Sequence, residues 1–268
     1  MIKRGSLELT IQETQRLQLE ILATFVDVCE KNNISYFVCG GNALGAVRHG
    51  GPIPWDYDTD LMVPEDQIDA LCKYLRVELE PKFYVDYHHL GAYSRRPFPR
   101  IALTGYDSGM FHVSIFRLIG FPSEPKEQSK LFKKAKILRE VLDIKLRFAK
   151  ARTPFRTMVV RFLKLALFCA PTKLLFASYD KLCAKYPYEK AAYAGYLAGQ
   201  RGIVFKRELF GEYTIVDYAG IPIRIFKEYD FYFRWLYGDY MELPPQEERE
   251  KAMNKTYILY ESKRRRRR

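Results

Sequence analysis

Three aspartates at alternate positions, Asp56, Asp58 and Asp60, follow a glycine pair, Gly40-Gly41, by fewer than twenty residues. An extended chain sends alternate side chains to one face, so an extended 56–60 segment would line one face with three carboxylates. Like charges packed that closely repel, and a soluble fold keeps them by supplying a cation. The glycine pair stands before a segment of helical pattern, where free backbone N–H groups favour an anion. An acidic edge that holds a metal, beside a turn that holds phosphate, is the minimum equipment for phosphoryl or nucleotidyl transfer.

The chain of 268 residues suits one domain with additions or two small ones, and its 48% hydrophobic content is enough for a real core. The formal charge of +12 suggests an anionic partner, although five of the positive charges lie in the arginine run at 264–268. That tail reads as a solvated end. The five cysteines, Cys29, Cys39, Cys72, Cys169 and Cys183, are odd in number and have no C-x-x-C spacing. They imply a reducing compartment and no structural zinc. No apolar signal core opens the chain, and no segment reaches the ~18 uninterrupted apolar residues of a membrane span. A cytoplasmic location is expected.

The periodicity predicts a helix over 10–32, capped by Thr10 and Glu13, with an apolar stripe of Leu17, Ile21, Leu22, Phe25, Val26 and Cys29. A short strand at 35–39, a helix at 43–48, a strand at 58–63 and a helix at 65–79 follow. Strands are expected at 83–87, 100–103 and 111–117, the last placing His112 and Ser114 on one face. Residues 122–125 read as a boundary, and helices are expected over 127–150, 155–169 and 172–186. Residues 213–218 and 221–225 read as a hairpin around Gly220, and a last helix runs from near 228 to 237. Pro244-Pro245 is expected to close the ordered core.

Cys39-Gly40-Gly41-Asn42-Ala43-Leu44-Gly45-Ala46-Val47-Arg48-His49, then Ile53-Pro54-Trp55-Asp56-Tyr57-Asp58-Thr59-Asp60, resembles the LicD family, which includes the fukutin-related proteins. Residues 111–122 resemble the family's middle element. Tyr237-Gly238-Asp239-Tyr240-Met241 with Leu243-Pro244-Pro245 is similar to its closing signature. Three motifs in order extend the resemblance over nearly the whole chain. It implies an α+β, nucleotidyltransferase-like mixed sheet flanked by helices, with a helical accessory subdomain. The expected division is a catalytic core at 1–122, a helical accessory region at 123–200, a part completing the core at 201–262 and a basic tail at 263–268.

By that resemblance the chain would transfer phosphocholine or a polyol phosphate from a CDP-linked alcohol to a sugar hydroxyl of a cell-surface glycan, releasing CMP. Asp58 and Asp60, with Asp56 as a third ligand or a second-shell partner, would hold Mg²⁺ or Mn²⁺. Gly40, Gly41, Asn42 and Arg48 would meet the nucleotide phosphates. The family's middle element carries an acid where this chain has Ser114. Three readings stay open: Asp56 supplies the missing acid, His112 takes the acceptor's proton, or the activity is altered. Asp58, Asp60, Arg48 and His112 are thus the catalytic candidates.

Two other functions compete. One is a nucleotidyltransferase acting on a small acceptor or RNA, although no RNA-recognition signature is present and no nucleic acid is expected as partner. The other is a glycan-assembly scaffold that keeps the fold without the chemistry. Residues 155–169 read either as a core helix or as an interfacial helix. The second would bring the protein to the inner face of the cell membrane, where lipid-linked glycan acceptors reside. His88-His89 lack further ligands at a suitable sequence spacing, so no zinc is expected there.

Overall fold

In the computed structural model, residues 6–91, 96–146, 165–166, 170–198 and 203–262 are described. The expected helix at 155–169 lies almost wholly outside them, as does the arginine tail. In chain order the elements are β1 (Ser6–Thr10), α1 (Ile11–Lys31), β2 (Phe37–Val38), α2 (Gly40–His49), β3 (Thr59–Pro64), α3 (Ile68–Leu79), β4 (Phe83–Asp86), β5 (Arg100–Leu103) and β6 (Val113–Phe121). Then come α4 (Pro125–Leu146), α5 (Thr172–Cys183), β7 (Tyr193–Tyr196), β8 (Ile203–Lys206), β9 (Tyr213–Tyr218), β10 (Ile221–Phe226), α6 (Tyr229–Tyr237), α7 (Gln246–Met253) and β11 (Thr256–Tyr260). The architecture is a mixed sheet flanked by helices, as the sequence implies.

Two compact units divide the chain. The first comprises Met1–Asp86, Pro99–Phe116 and Glu208–Arg268, and the second Tyr87–Phe98 and Arg117–Arg207.

The first unit is built around the strand order β2-β3-β6-β5-β4. Its α1 starts where the sequence says it should: the Thr10 hydroxyl accepts from Glu13 N–H at 3.2 Å, and the Glu13 carboxylate accepts from Thr10 N–H at 2.8 Å. That reciprocal capping satisfies two donors the helix would otherwise leave open. The stripe from Leu17 to Cys29 is buried throughout. The hairpin of β9 and β10 turns on Ala219 and Gly220, at φ 54° and 85°. Two positive φ values in succession match the right-handed twist of paired strands.

Three expectations for this unit need correction. The helix expected from residue 43 begins at Gly40, with Cys39 as its cap. Asp56 and Asp58 lie in a loop, and only Asp60 falls on β3. Pro244-Pro245 does not close the core: α7 follows, and β11 pairs antiparallel with β1, Leu9 opposite Tyr257. Two prolines stop a helix or strand locally, but they do not stop the chain from returning to pair with β1 in a separate two-stranded sheet.

In the second unit, residues 119–121 of β6 pair with β7, and β7 with β8. Helices α4 and α5 cover this ribbon through Ile119, Phe121, Leu131, Ala135, Tyr179 and Cys183. Strand β7 falls inside the region expected to be helical, and β8 where no element was expected. Gly195 is the reason: a Cβ there would collide with the Ile203 carbonyl, so the close pairing requires a residue that looks like a breaker. No helix among the described residues is long and apolar enough to cross a membrane.

Candidate active site

The glycine pair and the aspartates meet in the first unit. Gly40 opens α2 at φ 59°, a left-handed value that glycine adopts without strain. A Cβ at Gly40 would come 3.9 Å from the Tyr237 hydroxyl and 4.0 Å from Asp60 Oδ2. At Gly41 a Cβ would fall on Asp56 Oδ2. The two glycines therefore bring the helix backbone up against two carboxylates. Its positive N-terminal end favours such groups.

Asn42 fixes the acidic segment. Its side-chain amide donates to the Asp58 carbonyl at 3.0 Å and to the Tyr218 hydroxyl at 3.1 Å, and its Oδ1 accepts from Asp60 N–H at 2.8 Å. Asn42 is buried, so these bonds form away from competing water. From the other side, Gln15 Nε2 donates to the Ile53 and Asp56 carbonyls, and Gln18 Nε2 to those of Tyr57 and His112. Residues 53–60 thus hang between two helices by backbone and amide bonds, which leaves the carboxylates to face one another.

The cost is visible in their titration. Burial, the Asp58 charge and a hydrogen bond with Asp58 push Asp56 up to about 7. Burial first and then Asp58 raise Asp60 to about 7, while Arg100 and a hydrogen bond from Ser114 pull it back. The loop is short of positive charge as built, which is the condition a divalent cation relieves. The three carboxylates do not close into a tight cage. Among the described residues, three metal-ligand atoms come within 4.8 Å of one another at His88, His89 and Asp180, and not here. A closed cage is not required for Mg²⁺, which is commonly held by one or two carboxylates with water and substrate phosphate. The donor set fits that ion.

Ser114 stands where the sequence comparison of motifs places the missing acid. It is buried on β6, opposite Arg100 of β5, and its hydroxyl bonds Asp60. His112 lies two residues earlier, at the entry to β6, with its carbonyl on Gln18. Arg48 lies at the far end of α2, roughly 12 Å along the helix from Gly40 at ~1.5 Å per residue. Its guanidinium donates to the Tyr240 carbonyl at 2.5 Å. It therefore ties the closing motif to α2. From α6, which leads into that motif, the Tyr232 hydroxyl accepts from Gly40 N–H at 3.2 Å.

Sequence reasoning missed Arg100, Gln15, Gln18, Tyr218 and Tyr232. Gln18 left a trace, since it is a polar residue beside the apolar stripe of α1 and is buried there. Arg100 left none, because its place beside Asp60 follows from strand pairing.

Residues 33–147 match the family described as LicD/FKTN/FKRP, nucleotidyltransferase domain. Over 270 residues the chain is 28% identical to the lipopolysaccharide cholinephosphotransferase LicD of Haemophilus influenzae, an alignment covering 94% of this chain and 99% of that protein. The chain thus resembles the LicD family at 33–147 and a LicD protein over nearly its whole length. The human ribitol 5-phosphate transferase FKRP is 45% identical over 51 residues, 19% of this chain and 10% of FKRP. The solution structure of the antibiotic-resistance factor ANT(2'')-Ia covers 62% of this chain and 93% of its own, at a TM-score of 0.27 and 11% identity, too loose a superposition to bear on the fold.

Proposed function

We propose that this LicD-like chain transfers a phospho-alcohol, phosphocholine or a polyol phosphate, from a CDP-linked donor to a sugar hydroxyl of a cell-surface glycan. The observation that carries the reading is the acidic loop clamped by Asn42 against the Gly40-Gly41 helix start, in a chain collinear with a cholinephosphotransferase. Asp58 and Asp60 would hold Mg²⁺, with Asp56 beside them. When bound, the ion supplies positive charge to the donor's diphosphate.

The acceptor oxygen forms a bond to the phosphorus next to the alcohol. The bond from that phosphorus to the bridging oxygen breaks, and CMP leaves with the electron pair. Asp56 takes the acceptor's proton, and His112 is the alternative base. Backbone N–H groups at the start of α2 other than that of Gly40, which Tyr232 holds, face donor phosphate, and Arg100 adds a second cation next to Asp60. Ser114 keeps Asp60 aimed by its hydrogen bond. Arg48 acts by holding the Tyr240 segment in place. The lipid-linked acceptor puts the reaction at the inner face of the cell membrane.

The test is CMP release from CDP-choline and CDP-ribitol with Mg²⁺ and a glycan acceptor. Activity lost in both Asp58→Ala and Asp60→Ala supports the transferase. No release from either donor, with cellular function intact in Asp58→Ala, would leave a scaffold in its place. A kcat loss in Asp56→Asn but not in His112→Gln assigns the proton to Asp56.

A further inference from the structure

We propose that His88, His89 and Asp180, all in the second unit, form a binding site for a zinc-class divalent cation. A water fills its fourth position. One ligand atom from each residue lies within 4.8 Å of the other two. Asp180 Oδ2 is 3.0 Å from His88 Nε2 and 3.2 Å from His89 Nε2. Ligands about 2.0–2.1 Å from a tetrahedral zinc stand roughly 3.3 Å apart, so both spacings are those of a coordination edge.

The bonding of His88 points the same way independently. Its Nδ1 lies 3.3 Å from the Arg96 carbonyl, and its Nε2 lies 3.0 and 3.1 Å from the two oxygens of Asp180. Both nitrogens face acceptors, yet a neutral imidazole has one N–H to give. With the proton on Nδ1, the carbonyl is satisfied and the Nε2 lone pair is directed at the carboxylate. A cation between them resolves that clash. A ring N–H given to a backbone carbonyl is also the usual support of a metal-bound histidine. His88 is further fixed by stacking on Phe176, at 4.4 Å and 10°. The other oxygen of Asp180 accepts from the buried Arg117 at 2.6 Å, which orients the carboxylate and leaves Oδ2 for the ion.

The neighbouring histidines sit on a single turn at His88–Leu90, and Asp180 on α5. The ion would clip that turn to the helix. His89 is exposed, which gives the ion a way in and the fourth position access to solvent. The buried thiol of Cys183 lies three residues on from Asp180 and is not part of the ligand set.

The experiment uses the full chain, stripped with a chelator and titrated with Zn²⁺ alone. In parallel, Co²⁺ serves as a spectroscopic probe. One equivalent should bind, giving a tetrahedral cobalt spectrum without thiolate charge-transfer bands. His89→Ala and Asp180→Asn should each weaken binding by more than the ~10–100-fold that supporting residues contribute. His89→Ala changes an exposed side chain, and an unchanged circular-dichroism melt of the stripped protein checks that it folds. Asp58→Asn should leave this equivalent in place, which separates the site from the acidic loop. Two results overturn the proposal. One is no zinc binding by the wild type, which leaves His88 as an imidazolium in an ion-pair cluster with Asp180 and Arg117. The other is binding that survives both ligand substitutions.

Discussion

At the residue scale, Asn42 does the most with one side chain. It holds the Asp58 carbonyl and the Asp60 N–H together, and it does so in the interior. Asn42→Ala should cost about 1–3 kcal/mol, because buried polar groups lose their partner. Activity should fall further than stability, since the loop would no longer be held; thermal melts beside CMP-release rates measure both. The acids themselves give a pH signature. The folded chain raises Asp56 to about 7, chiefly by burial and then by Asp58, so the stability it contributes is greatest below about pH 4 and is lost as pH rises through about 7. Asp56→Asn removes that loss. Without divalent cation it should stabilise the chain on the order of 1–2 kcal/mol above pH 7 and by nothing near pH 4. Millimolar Mg²⁺ should narrow the gap. A variant less stable than wild type at pH 8 would contradict this account of the loop.

At the scale of elements, α2 sacrifices helix propensity to geometry. Alanine in place of glycine inside a helix gains about 1 kcal/mol. Yet the Cβ of Gly41→Ala would land on Asp56 Oδ2. Melting temperature should therefore be nearly unchanged in that variant, while kcat drops by at least about tenfold, a ~1.4 kcal/mol displacement of the reacting groups. Equal loss of both would mean that the glycine serves packing alone. α1 shows how far local patterns reach. Its cap and stripe were legible in Thr10, Glu13 and the spacing from Leu17 to Cys29, because those interactions lie within one or two turns. Its second duty, holding residues 53–57 through Gln15 and Gln18, spans about forty residues and has no periodicity to announce it.

For the whole molecule, the first unit is assembled from three separate stretches of chain, and its ends are joined by β1 against β11. Tyr257 and Leu259 are buried there. A chain cut after residue 245 should lose that strand and α7. The loss of two buried side chains should cost several kcal/mol, at about 2–5 kcal/mol for each large apolar group. Soluble yield and melting temperature of the truncated protein test this; an unshifted melt would show that the pairing contributes nothing.

The sequence by itself determined which acids and glycines gather, the order of α1, α2 and the central strands, the β9–β10 hairpin, and the family resemblance. Each rests on spacing, capping or turn chemistry confined to neighbours in the chain. Only the tertiary structure decided who completes the two polar centres. Arg100 and Ser114 reach Asp60 by strand pairing, Asn42 locks the loop across α2, and Asp180 joins His88 and His89 from more than ninety residues away. Sequence spacing argued against a metal at those histidines because a third ligand was sought nearby. Coordination depends on distances of a few ångströms in space, and folding sets those without regard to separation along the chain.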